Sequence, residues 1–104
     1  MRLRRADGYW LLVGGPVPPG AAAWTIGSLV SVRTRSATSA HLLAHEANHV
    51  AQYRRFGVSG FLVRYLTDYL RQRVRGWPHW AAYRRIGFEV EAEWWARRPD
   101  LRRP

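Results

Sequence analysis

The sequence predicts a single α+β domain spanning residues 1–104, in which a small N-terminal β-ribbon precedes three helices. Three observations support this class. The first third combines β-branched and aromatic residues with clusters of glycine and proline, which is typical of strands and turns. The middle third carries apolar residues at helical spacing. A last apolar segment stops before Pro99, where a helix is expected to end.

The β-ribbon is predicted within residues 8–35, with one or two strands. An apolar run from Tyr9 to Val13 is followed by a stretch of glycine and proline at residues 14–20 that favours a loop. Residues 24–33 are rich in β-branched side chains. Alternation along a single strand would place Ile26, Ser28, Val30 and Val32 on one of its faces.

Three helices are predicted after the ribbon. The first begins at Thr38 or Ser39, either of which can cap a helix, and ends at Gly57. The second runs from near Ser59 to Gly76, and residues 79–87 could form a further helical turn. The third runs from about residue 88 to residue 98. The apolar residues that recur at helical spacing on the second helix are expected in the core: Phe61, Leu62, Tyr65, Leu66, Tyr69, Leu70 and Val74.

Composition restricts the possible functions. The formal net charge is +10, and all 17 basic residues are arginines. This charge could attract nucleic acid, but the arginines are scattered in small groups, which favours a solvated surface. The absence of cysteine excludes disulfides and cysteine-ligated zinc. No apolar stretch approaches the ~20 residues of a membrane span, and the N-terminal apolar run is short for a signal peptide. We therefore expect a cytoplasmic protein, with secretion as the less favoured alternative.

The segment from His45 to His49, with the sequence HEANH, carries the clearest chemical signal. Two histidines four residues apart lie on one face of a helix, so both imidazoles can reach one metal ion. Glu46 borders the same face. In zinc hydrolases a glutamate at this position takes a proton from the water that zinc activates and passes it to the leaving group.

A catalytic zinc site needs a third protein ligand, and the glutamates near the C-terminus are the candidates. The chain has four glutamates: Glu46, and the group Glu89, Glu91 and Glu93. Glu89 and Glu93 are four residues apart and share a helix face, so one could bind the metal while the other orients a histidine. Glu91 points elsewhere and is expected to offset nearby arginines through ion pairs.

The HEANH helix followed by a helix with Glu89 and Glu93 resembles the gluzincin zinc peptidases. Those enzymes carry a glutamate ligand on a later helix, with an acidic residue four positions further on. The whole chain is similar to the minigluzincins, which are minimal single-domain members with a β-ribbon before the motif helix. The resemblance implies Zn²⁺ bound by His45, His49 and Glu89, with Glu46 as general base. Glu93 would be the carboxylate behind a histidine, for which we expect His45.

Two further roles are predicted for a peptidase. Tyr83 or His79 could be the electrophile that stabilises the tetrahedral intermediate. A strand beside the motif helix could pair with an extended substrate, and the candidate residues for it are Trp24, Ile26, Ser28 and Val30.

Three functions thus stand as hypotheses. The first is a zinc-dependent peptidase that acts on a peptide or protein substrate. The second is a latent or weakly active metal-stabilised binding domain, and the third is a basic nucleic-acid-binding module. The adjacent Trp94 and Trp95 cannot both point into the core, so the one that points outward could mark an oligomer interface.

Overall fold

A computed structural model describes residues 1–98 and confirms the α+β class, with a sheet that precedes three helices. The sheet has four strands rather than the one or two expected. Their bounds are Arg2–Arg5 for β1, Trp10–Val13 for β2, Ala23–Ile26 for β3 and Leu29–Val32 for β4. The spatial order is β1-β2-β4-β3. The β1–β2 and β3–β4 pairs are antiparallel, whereas β2 and β4 are parallel.

A tight turn at Gly27 and Ser28 divides the segment that alternation had suggested was one strand. Ile26 pairs with Leu29 across this turn, and Gly27 adopts a positive φ of 60°, which suits glycine. The expected shared face of Ile26, Ser28, Val30 and Val32 was therefore wrong for Ile26 and Ser28, whereas Val30 and Val32 do share a buried face. Ser28 lies in the turn, and Val30 lies on the internal strand β4, where it is fully buried.

The core lies between the sheet and the first half of the long helix. Leu11 and Val13 of β2 lie opposite Val30 and Val32 of β4, so the four side chains form one apolar surface. Val50 of the helix packs into the same cluster. Burial of such side chains stabilises the fold by about 1.5–3 kcal/mol each. This packing holds the motif helix against the sheet.

The long helix α1 (Ala40–Val74) is broken at Gly57, where φ is 74° and ψ is 165°. Ser39 caps its start, because the Ser39 Oγ accepts a hydrogen bond from the Leu42 backbone at 3.2 Å. The predicted cap and the predicted helix end at Gly57 are both confirmed. A second helical half, residues 58–74, follows the break.

The prediction that the apolar stripe of residues 61–74 lies in the core was wrong. Phe61 is buried, but Leu66, Leu70 and Val74 are more than half exposed. The helix residues that pack into the core cluster of the sheet all come from the first half of α1. Two short helices are left to cover the second half, α2 (His79–Arg84) and α3 (Gly87–Ala96).

The start of α3 is fixed against α1 by polar and aromatic contacts. The Gly87 backbone N–H donates to Asp68 Oδ2 at 2.9 Å, and the rings of Phe61 and Phe88 stack with centroids 4.8 Å apart. Helix α3 begins one residue earlier than expected and ends at Ala96, two residues earlier. Within residues 1–98, no helix is both long and apolar enough to cross a membrane.

Candidate metal centre

His45, His49 and Glu89 converge where α1 packs against α3. The Nε2 atoms of His45 and His49 lie 2.8 Å and 3.1 Å from the same carboxylate oxygen, Oε1 of Glu89. One candidate ligand atom from each residue lies within 4.8 Å of the others. His49 and Glu89 are buried, and His45 is mostly buried. The three residues form a cluster that could hold a metal ion.

The orientation of the His49 ring is fixed by Gln52, one turn further along α1. The His49 Nδ1 lies 2.8 Å from the Gln52 Oε1. The Gln52 amide nitrogen donates to the Phe88 carbonyl at 3.0 Å and to the Glu91 carboxylate at 2.8 Å. These two acceptors require the amide oxygen to face His49, so the His49 Nδ1 must donate.

The outer nitrogen of His45 is fixed in the same way by a carboxylate. The His45 Nδ1 donates to Glu93 Oε1 at 3.0 Å. Glu93 is held in turn by Arg97, whose Nε donates at 2.9 Å, and by the His41 ring nitrogen at 3.0 Å. Glu93 therefore contacts the nitrogen of the His45 ring that does not face Glu89.

This hydrogen bonding tests whether the residues fit a metal. Because both Nδ1 atoms donate, each neutral imidazole points the Nε2 lone pair at the Glu89 carboxylate, which also only accepts. Three acceptors can converge only around a cation, either a metal ion or bound protons. Two imidazole nitrogens and one carboxylate oxygen form a ligand set typical of catalytic zinc. The outer partners fix the rings as they do around metal-bound histidines. The residues fit a metal.

Ionisation in the metal-free cluster follows from the same contacts. Burial disfavours charge on His45, but hydrogen bonds and the negative charge of Glu89 outweigh it and raise its pKa from 6.5 to about 9. The pKa of His49 is raised for the same reasons. Burial opposes charge on Glu89 as well, yet hydrogen bonds from the two histidines lower its pKa well below the ordinary value. The cluster therefore keeps Glu89 ionised.

Glu46 is buried next to this cluster, on the side that faces the sheet. Its Oε1 accepts a hydrogen bond from the Thr25 hydroxyl of β3 at 2.8 Å. Burial raises the pKa of Glu46, and the charges of the histidines and the Thr25 hydrogen bond offset part of that rise. Such a carboxylate can both accept and release a proton.

Two tyrosine hydroxyls also bind Glu89. Tyr65 from the second half of α1 donates to Oε2 at 2.5 Å, and Tyr83 from α2 donates to Oε1 at 3.1 Å. The structure thus brings Tyr83 to the cluster. His79 lines the same cleft, but its Nδ1 lies 2.9 Å from the Tyr69 hydroxyl and it does not contact Glu89.

The cluster lies in a cleft of about 950 Å³ between β3, α1 and α2. Trp24 and Ile26 line it from the sheet, and both are exposed. Because β3 is an edge strand, these residues remain candidates for a substrate-pairing strand. Ser28 and Val30 are not, since one lies in the turn and the other on the internal strand β4.

Sequence reasoning missed four of the residues around the cluster. Thr25, Gln52 and Tyr65 were not assigned a site role, and Glu91 was expected only in ion pairs with arginines. Glu91 instead accepts from Gln52. The spacing of Gln52, three residues after His49 on one helix, was the one local signal available.

Comparison with known proteins gives one match. A family model described as the eCIS core domain matches residues 18–57, which is less than half of the chain. The matched segment includes β3, β4 and the first half of α1, so it contains His45, Glu46 and His49 but not Glu89. No curated protein and no solved structure matches the chain. The resemblance to gluzincins therefore stays a prediction based on the motif.

Proposed function

We propose that this protein is a zinc-dependent peptidase in which His45, His49 and Glu89 hold the metal and Glu46 is the general base. One observation carries the proposal: two imidazoles with fixed outer nitrogens point their Nε2 atoms at one carboxylate. When bound, zinc supplies Lewis-acid activation of a water molecule and of the scissile carbonyl. The description of the matching family names no reaction, so the support comes from the site itself.

Glu46 is suited to carry the proton in peptide hydrolysis. Thr25 occupies its Oε1, which leaves Oε2 to take a proton from the attacking water. The same oxygen can then deliver that proton to the amide nitrogen of the leaving group. The raised pKa of Glu46 favours uptake of the proton from the attacking water, because a more basic carboxylate is a better proton acceptor.

Tyr83 is the better of the two predicted electrophiles. Burial and the charge of Glu89 raise its pKa, so its hydroxyl keeps the proton that it would donate to the developing oxyanion. Tyr65 has a different role in this scheme. Its hydrogen bond to Glu89 Oε2 positions the carboxylate and leaves Oε1 directed at the two histidines.

The free edge of β3 offers a place for an extended peptide. The Arg33 N–H donates to the Ala22 carbonyl, so these two residues form a hydrogen-bonded pair. Hydrogen-bonded and non-hydrogen-bonded pairs alternate along antiparallel strands, so the backbone groups of Ala23 and Thr25 point away from β4. The Thr25 carbonyl already accepts the Tyr53 hydroxyl at 3.0 Å. Ala23 therefore offers the backbone groups for substrate, flanked by the exposed side chain of Trp24.

The decisive experiment compares the wild type with Glu46→Gln, both loaded with zinc, against a peptide library analysed by mass spectrometry. The variant should keep its zinc and lose about 10²–10⁴-fold in rate. Asp7→Asn, far from the cluster in sequence, is the matched control and should cleave normally. Cleavage by Glu46→Gln at the wild-type rate would overturn the mechanism. A zinc-loaded wild type that cleaves nothing would favour a metal-stabilised binding domain.

A further inference from the structure

Arg84, the last residue of α2, lies on the wall of the cleft next to Tyr83. Its guanidinium carbon is 5.6 Å from the ring centroid of Trp80, one turn earlier on the same helix. Trp80 is 63% exposed, a high value for so large an aromatic side chain. This cation–π pair thus lies at the rim of the cleft rather than in the core.

Arg84 makes no ion pair and no side-chain hydrogen bond within residues 1–98. The three carboxylates that line the same cleft are already engaged. Thr25 binds Glu46, the histidines and tyrosines bind Glu89, and Arg97 binds Glu93. Among the described residues, the cleft therefore carries an exposed cation that no neighbouring carboxylate neutralises.

A guanidinium in contact with the face of an aromatic ring keeps its N–H edge free, while the contact limits the conformations of the side chain. That free edge presents parallel N–H donors that match a carboxylate in a bidentate geometry. The net charge of +10 would also raise the local concentration of acidic peptides.

We infer that Arg84 is a specificity-determining residue that binds a carboxylate of the substrate, so that the cleft selects peptides with an acidic group near the scissile bond. The inference rests on the proposed peptidase function. The carboxylate can come from an aspartate or glutamate side chain or from the C-terminus of the peptide. In both cases the recognition chemistry is the same.

The test uses matched peptides that differ in one carboxylate. One pair exchanges glutamate for glutamine, and a second pair exchanges a free C-terminus for an amide. Cleavage is measured with the zinc-loaded wild type, Arg84→Gln and Arg84→Glu. Binding is measured by fluorescence anisotropy with Glu46→Gln and with the double variant Glu46→Gln/Arg84→Gln. Arg85→Gln is the control, because Arg85 stacks on Trp77 at 3.7 Å and does not line the cleft.

The wild type should favour the acidic member of at least one pair by about tenfold in kcat/KM, mainly through KM. The pair that responds identifies the source of the carboxylate. Arg84→Gln should abolish the preference, Arg84→Glu should reverse it toward the neutral member of the pair, and Arg85→Gln should retain it. Added salt should weaken it.

Three results would overturn the inference while leaving the peptidase intact. The wild type could show no preference, the preference could survive Arg84→Gln, or Arg85→Gln could lose it equally. If no peptide is cleaved, the binding experiment decides. Tighter binding of the acidic peptide that depends on Arg84 would support the inference although the peptidase had failed. Equal binding of both members would overturn it.

Discussion

The Oε1 atom of Gln52 lies 2.8 Å from Nδ1 of His49, and the amide of the same Gln52 side chain donates to two acceptors on α3. Gln52 thereby links the orientation of a candidate metal ligand, His49, to the docking of the helix that carries Glu89. The site and the packing of α3 on α1 depend on the same side chain.

Replacing Gln52 with alanine should therefore weaken metal binding. The His49 Nδ1 would lose its acceptor, and loss of such an outer partner typically lowers metal affinity by about 10–100-fold. The two part-buried hydrogen bonds from Gln52 to the Phe88 carbonyl and the Glu91 carboxylate would also be lost, which should destabilise the fold by about 1–3 kcal/mol in total. Zinc titration and chemical denaturation measure the two effects. Gln72→Ala is the control, since the Gln72 side chain makes no hydrogen bond in the described chain; equal zinc affinity in both variants would contradict the role of Gln52.

Replacing Thr25 with valine should change the pH dependence of hydrolysis while zinc binding is retained. The Thr25 hydroxyl lowers the pKa of Glu46, so its loss should raise that pKa further. Because the base must be ionised, the acidic limb of the kcat/KM profile should move to higher pH. Thr25→Ser should restore the wild-type limb. An unchanged profile in Thr25→Val would show that the Thr25 hydroxyl does not tune the base.

The two tyrosines that contact Glu89 should respond differently to replacement with phenylalanine. Tyr65→Phe removes the donor to Glu89 Oε2 and should lower zinc affinity by about tenfold or more. Tyr83→Phe should keep zinc and lower kcat by about 10²-fold, because it removes the proposed donor to the oxyanion. Zinc titration and steady-state kinetics on both variants separate these roles. Reduced zinc binding in Tyr83→Phe with unchanged kcat would reverse the assignment.

The stabilising effect of the metal should grow with pH. In the metal-free protein the pKa of His45 is raised from 6.5 to about 9, so the folded state holds this proton more tightly than the unfolded chain does. The stabilisation that comes from protonated His45 is complete below the ordinary histidine pKa of 6.5 and is lost as pH rises through about 9. A metal ion takes the place of the proton. The drop in Tm caused by a chelator should therefore be small at about pH 6 and large at about pH 8.5; a drop that shrank with rising pH would contradict this linkage.

Local patterns allowed much of the fold to be predicted. The helix cap at Ser39, the break at Gly57 and the last helix all have signals within a few residues. The four-stranded sheet was not predicted, because β1 is a short exposed strand that depends on pairing with β2. The turn at Gly27 was hidden in a run that alternates like one strand.

The residues of the candidate site could likewise be predicted only where the signal lies within a few residues of sequence. His45, Glu46 and His49 could be predicted because one helix sets their spacing, and grouped glutamates pointed to Glu89 and Glu93. Thr25 and Tyr65 could not be, because their contacts arise only when the sheet and the second half of α1 surround the motif helix.

The most direct test of the zinc site is a calorimetric titration of tag-free, chelator-treated protein with Zn²⁺. The wild type should bind one ion per chain, and Glu89→Ala should bind it far more weakly, because one of the three ligands is missing. His79→Ala should bind like the wild type, since His79 contacts Tyr69 rather than the cluster. A wild-type protein that takes up no zinc, or a Glu89→Ala variant that binds it equally tightly, would contradict the assignment of the metal to His45, His49 and Glu89.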